Sequence, residues 1–94
     1  MTLVGQDKID AFIKRNAQAR KPVQAWVAEA GNAQWKTSQD IKNRYRSADF
    51  LKNNRVIFNV KGNRYRLVAK ISYQTAVVLV EWIGTHAEYD KQKF

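Results

Sequence analysis

Ninety-four residues bound this chain to one domain, spanning 1–94, with one modest core. A hydrophobic fraction of 45% with three Trp, four Tyr and four Phe excludes a disordered chain, and the absence of cysteine excludes a disulfide framework and a thiol nucleophile. The formal charge of +9 is concentrated: Lys36 to Lys70 hold ten Lys or Arg against two Asp, net +8, a distribution that points to an anionic partner, nucleic acid first.

In chain order, Met1 to Val4 predicts a short edge strand. Gln6 to about Ala19 predicts a helix that turns Ile9, Phe12, Ile13 and Ala17 inward and Lys8, Lys14 and Arg15 outward. Pro22 fits the first turn of a second helix, where its missing N–H costs nothing; Val23, Trp26, Val27 and Ala30 form its apolar stripe, and Gly31-Asn32 is a plausible stop. Ser38 is placed to cap a short helix over Gln39–Tyr45, and Arg44 and Arg46 follow in a basic cluster before a loop that ends at Asn53-Asn54.

Three strands follow. Residues 55 to 70 read as a hairpin about Gly62-Asn63, a dipeptide that accepts the positive φ of a tight two-residue turn. That turn pairs Lys61 with Arg64, Asn59 with Arg66, Ile57 with Val68 and Arg55 with Lys70. Period-two alternation then puts Val56, Phe58, Val60, Tyr65, Leu67 and Ala69 on one face, and Arg55, Lys61, Arg64, Arg66 and Lys70 on the other. Like charges set opposite one another destabilise a hairpin, so a surface that accepts the cost is built to hold an anion, phosphate being the first candidate. Residues 76 to 83 form a third strand, apolar on both faces except at Glu81. A Gln74-Thr75 turn would pair Ile71 with Val78 and Arg66 with Ile83, and put Glu81 on the cationic face near Arg66 and Lys70. Gly84 ends that strand, and Thr85-His-Ala-Glu88 is a capping box opening a last short helix with His86, Tyr89, Asp90 and Lys93.

This meander brings His86, Tyr89 and Asp90 towards the hairpin tip, where Lys61, Arg64 and Arg66 lie, while Arg55 and Lys70 sit farther along the strands and suit strand binding better than chemistry. The chain has no P-loop, GxGxxG, HExxH, CxxC or GxSxG motif, and one His without Cys is too few for a zinc site, so no metal or other cofactor is expected. Phosphodiester chemistry without a metal fits what remains, because RNA carries its own nucleophile, the 2′-OH, and the protein need only orient it, move protons and stabilise charge. No apolar run approaches the roughly 20 residues of a membrane span, and Met1-Thr-Leu-Val4 is too short, and lacks the basic leader, for an export signal; a cytoplasmic protein without a membrane partner is expected.

The blocks Asn59-Val-Lys-Gly-Asn-Arg-Tyr-Arg-Leu-Val-Ala-Lys70 and Ile83-Gly-Thr-His-Ala-Glu-Tyr-Asp90 resemble the HigB family of bacterial type II toxins, within the RelE superfamily, and the similarity runs over about residues 20 to 91. The resemblance implies an α+β fold, with N-terminal helices packed on one face of a small antiparallel β-sheet and a short C-terminal helix. It implies a toxin that cleaves mRNA, usually on the ribosome, and is held inactive by a helix-turn-helix antitoxin; operator DNA is met only through the toxin–antitoxin complex. It also implies site roles: Arg66, in the Tyr-Arg-Leu segment, for the scissile phosphate, His86 for the basic position after the following strand, and Tyr89 for the C-terminal aromatic that serves in proton transfer or stacking. Lys61 and Arg64 are expected to assist Arg66, and Arg55, Lys70, Arg44, Arg46 and Asp90 to line the RNA path. Two other readings of the residues stand beside this one: a non-catalytic RNA- or DNA-binding module, and an interaction protein for an acidic partner.

Overall fold

The computed structural model describes residues 1–92 as an α+β domain, in the order β1 (Thr2–Val4), α1 (Gln6–Arg15), a 3₁₀ turn (Ala17–Ala19), α2 (Arg20–Asn32), α3 (Ser38–Arg44), β2 (Asp49–Phe50), β3 (Arg55–Val60), β4 (Tyr65–Ser72), β5 (Val77–Thr85) and α4 (His86–Tyr89). The five strands form one sheet in the order β1-β5-β4-β3-β2, antiparallel except for the β1–β5 pair. No described helix is long and apolar enough to cross a membrane.

The helices cover one face of the sheet. Ile9, Phe12 and Ile13 of α1 and Val23, Trp26 and Ala30 of α2 share a core with Val56, Phe58 and Val60 of β3, Tyr65, Leu67, Ala69 and Ile71 of β4, and Val78, Val80 and Ile83 of β5. Phe58 is fully buried and meets three rings: Trp26 at 5.1 Å, Tyr45 at 5.2 Å and Trp35 at 5.9 Å between centroids. Its removal would leave a cavity costing about 3–5 kcal/mol. Among the described residues the opposite face carries no long helix; α4, a single turn, stands at one end of it, with Tyr89 against Trp82 and Arg66.

The hairpin register is the expected one, with Arg55↔Lys70, Ile57↔Val68 and Asn59↔Arg66, and the expected apolar side is the buried one. The turn differs. Regular pairing stops at Val60↔Tyr65 and the loop takes four residues, with positive φ at Lys61 (54°) and Gly62 (63°) rather than at Gly62 and Asn63. Lys61 and Arg64 are therefore turn residues, not a ladder pair. A second difference has larger consequences. Ile71 pairs with Val78 as expected, but a β-bulge between Val68 and Ala69 shifts the rest of β5 by one residue: Ala69 opposes Val80, Val68 opposes Trp82, and Arg66 opposes Gly84 instead of Ile83. A one-residue shift exchanges the two faces of a strand. Ile83 consequently turns into the core, 7% exposed, and Trp82 comes onto the helix-free face.

Smaller differences have local causes. The first helix ends at Arg15 and the chain tightens into the 3₁₀ turn before α2, so the long helix to Ala19 is two elements. The cap of α3 is Thr37, one residue earlier than Ser38, because Thr37 and Asp40 complete a reciprocal capping box. The two-residue strand β2, too short to show a period, precedes a turn in which Asn53 and Asn54 take the left-handed conformation that Asn tolerates. The capping box at Thr85 is as expected: Glu88 N–H donates to Thr85 Oγ1 at 3.1 Å, and Thr85 N–H donates to Glu88 Oε1 at 2.8 Å. Lys93, assigned to the last helix by the sequence, lies outside the described residues.

Candidate functional site

The helix-free face of the sheet presents Arg55, Ile57 and Asn59 from β3, Arg66, Val68 and Lys70 from β4, and Val77, Leu79, Trp82 and Gly84 from β5, a set dictated by register. Ile57 and Val68 are buried in its middle, flanked by the longer side chains. The cations around them are held differently.

Arg66 and Tyr89 form one unit. The guanidinium carbon of Arg66 lies 4.6 Å from the centre of the Tyr89 ring, a cation–π contact. Trp82 meets Tyr89 edge-on, with centroids 5.9 Å apart and planes at 62°. Arg66 Nε is buried and has no hydrogen-bond partner among the described residues. A buried N–H without an acceptor costs about 1–3 kcal/mol; Asn59 Oδ1, on the ladder partner of Arg66, is likewise buried without a hydrogen-bond partner among the described residues.

Helix α4 supplies the rest. The backbone N–H of His86 donates to Arg64 O at 3.1 Å, which ties the start of the helix to the hairpin turn. His86 Nδ1 stands 3.6 Å from Asp90 Oδ2, one helical turn on, and the imidazole is 38% exposed. The Glu88 carboxyl is held below its usual range, first by the backbone N–H of Thr85 and, against some desolvation, by the Thr85 hydroxyl, Arg15 and Lys91. Arg15 Nη1 reaches the same carboxylate at 4.0 Å and so braces α4 against α1. His86, Tyr89 and Asp90 thus share one anchored turn, with Tyr89 in contact with Arg66.

The remaining cations do not form the single array that simple alternation suggests. Arg55 is on the open face, but its Nε donates to Glu81 Oε1 at 2.8 Å, and both side chains are largely covered (35% and 24% exposed). Glu81, the extra residue of the bulge, therefore serves Arg55 and not Arg66. Lys70 is on the open face and exposed. Lys61 and Arg64 leave this face. The positive φ of Lys61 ends the alternation, and Lys61 lines a cleft with Pro22 and Trp26 on the helical side, while Arg64 Nη1 donates to Gln18 Oε1 at 3.4 Å beside the 3₁₀ turn. Arg44 belongs to the helical layer as well: it forms a two-pronged ion pair with Glu29 of α2, one prong at 2.9 Å, and lies over the Tyr45 ring. Arg46 is exposed in the turn that leads to β2. Among the described residues, no group of three or more His, Cys, Asp or Glu could hold a metal ion.

Trp82 is the neighbour that sequence reasoning missed. In an unbroken ladder it would face the core; only the bulge brings it beside Tyr89. A signal was available in Glu81-Trp-Ile-Gly84, where a large aromatic sits two residues before a glycine, the spacing at which a ring can fold over a position without a side chain.

A small mixed sheet, helices on one face and a basic, aromatic and histidine-bearing cluster on the other, is an architecture compatible with the RelE-like class. The family model of the HigB toxin, described as the RelE-like toxic component of a toxin–antitoxin system, matches residues 19–92, and the chain belongs to that family. No curated protein matches the chain. The protein is the toxin of a toxin–antitoxin pair, and an antitoxin is its partner.

Proposed function

We propose that this toxin is an endoribonuclease that cleaves mRNA, in company with the ribosome, without a metal ion and with the RNA 2′-OH as nucleophile, and so arrests translation. What supports this reading above all is the Arg66 guanidinium: a cation held by a ring, with a buried Nε–H that no described residue satisfies. A phosphate oxygen accepts from the guanidinium, and that charge-assisted bond strengthens as negative charge grows on a pentavalent phosphorus.

The step balances with two proton carriers. His86 takes the proton of the 2′-OH, O2′ forms a bond to phosphorus, the bond from phosphorus to O5′ breaks, and Tyr89 gives its phenolic proton to the departing oxygen. The products are a 2′,3′-cyclic phosphate and a 5′-hydroxyl. One face of the Tyr89 ring is engaged by Arg66, so its hydroxyl, rather than base stacking, is the part assigned to chemistry. Asp90, 3.6 Å from His86, orients the imidazole. Lys70 and Arg46, with Arg55 once it exchanges Glu81 for a phosphate, guide the strand. The cognate partner in this reading is a helix-turn-helix antitoxin, and the complex, not the toxin alone, meets operator DNA.

The test is to add the toxin to translating ribosomes and map message ends. New 5′-hydroxyl ends with wild type that vanish with Arg66→Ala are expected. Wild-type protein that binds message yet leaves it intact would replace this reading with a non-catalytic RNA-binding module.

A further inference from the structure

We propose that Trp82 is a positioning residue of this site, and that its indole, folded across Gly84, holds Tyr89 as the platform on which the Arg66 guanidinium rests. The inference rests on the ribonuclease reading above for its chemical meaning, but on packing alone for its geometry.

Four contacts close a loop. Gly84 is the ladder partner of Arg66. A methyl group on Gly84 would come within 2.5 Å of Trp82 Cη2, 2.6 Å of Cζ2 and 3.1 Å of a Glu88 carboxylate oxygen, so the six-membered ring of the indole lies directly against the glycine. Trp82 meets Tyr89 edge to face, and Tyr89 carries Arg66. Every member is thus located by two others. The bulge is what makes this possible, because it places Trp82 on the same face as Arg66 and two residues from the glycine it covers.

The choice of an aromatic brace has a chemical reason. Arg55 shows the alternative: a carboxylate fixes a guanidinium but cancels its charge. A ring face fixes the group while leaving its positive charge undiminished for an incoming phosphate. A guanidinium meant to answer charge that develops during a reaction must be held before the reaction begins, and Trp82 provides that restraint one step removed from the phosphate.

Two readouts test this: steady-state cleavage of ribosome-bound message, and the Arg66 side-chain resonances by NMR, which the Tyr89 ring current displaces. Trp82→Ala is expected to lower kcat by about 10- to 100-fold, the scale of a small misplacement, with KM changed far less. The Arg66 Hδ and Nε–H signals should move towards their positions in Tyr89→Leu. Trp82→Phe should restore most of both effects, and Gly84→Ala, which pushes the indole away, should reproduce the loss. Should Trp82→Ala fail to fold, Trp82→Phe against Trp82→Leu decides, since leucine keeps apolar bulk without a ring; equal kcat and equal Arg66 shifts in those two variants would overturn the inference. Unmoved Arg66 signals in Trp82→Ala would overturn it too, whatever the cleavage rate. If wild type cleaves nothing while the Arg66 signals respond as described, the failure belongs to the ribonuclease reading, and Trp82 keeps its part in placing Arg66.

Discussion

Arg55 and Arg66 stand on the same face of adjacent strands, yet the fold holds them in opposite ways. Arg55 is neutralised by Glu81, a carboxylate 2.8 Å away in a largely covered pair. Arg66 is held by a tyrosine ring and keeps an N–H without an acceptor among the described residues. The lesson is that a cationic face is not uniform: charge that is already paired serves stability and register, while charge that is oriented but unpaired is ready to receive a ligand. The two ends of the face divide along the same line. The end near α4 has a histidine, a tyrosine and a braced arginine; the far end has Lys70 beside the aliphatic Val77 and Leu79, and Val4, on the edge strand, is 46% exposed.

The comparison is open to attack in order of expected effect. Arg66→Ala should lower kcat by about 100-fold or more, the usual result of removing one preorganised donor from developing oxyanion charge. Arg55→Ala should cost less than about 10-fold and act mainly through KM. Equal losses in the two variants, measured as cleavage of ribosome-bound message, would erase the distinction. Glu81→Gln should release Arg55 to a phosphate: binding to single-stranded RNA would tighten, and its dependence on log salt would steepen by about 0.7, one added phosphate contact. An unchanged salt slope in a fluorescence-anisotropy titration would mean that Glu81 does not restrain Arg55.

Acid should loosen one end only. The Glu88 carboxyl is depressed in the folded protein, so its contribution is present above the ordinary carboxylate range and is lost as pH falls through the lowered value. Amide protection of α4 and the Tyr89 signals should therefore weaken on acidification into that lower range, before the β3–β4 amides around Arg55 respond, as read by NMR across a pH series. Loss of both regions together would show that the capping box does not act alone. The smallest effect is expected at Ala76, whose φ of 59° is unfavourable for any residue with a Cβ. Ala76→Gly should relieve that strain and raise stability by about 0.5–1 kcal/mol in urea unfolding, with both arginines keeping their roles.

Much of the fold around these residues was legible in the sequence. Centring the hairpin on Gly62-Asn63 set the register found between Arg55 and Lys70, and alternation then put Val56, Phe58, Leu67 and Ala69 on the buried face. Thr85 and Glu88 announced their helix because both halves of the capping box are present at the right spacing. The bulge was not readable, since β5 is apolar on both sides and tolerates either register around Glu81. From that one difference follow the expected placement of Ile83 opposite Arg66, where Gly84 stands, and the absence of Trp82 from the expected site. Lys61 and Arg64 were misplaced for another reason: strand alternation was extended into a turn whose positive φ at Lys61 breaks it. Arg44 was grouped with the cationic face by its neighbours in sequence, whereas Glu29, fifteen residues earlier, claims it across the helical layer.

The unpaired residue at position 81 makes the sidedness of the last strand a matter of counting as much as of composition. Excising Glu81 would make Val80, opposite Ala69, and Trp82, opposite Val68, consecutive in an even ladder, keeping the indole on the Arg66 face and Ile83 in the core while removing the carboxylate that holds Arg55. Homologues lacking this one residue would present the same face with Arg55 released, whereas homologues that keep it but pair it evenly in the ladder would turn the indole inward, so the length of this strand tells as much as its letters.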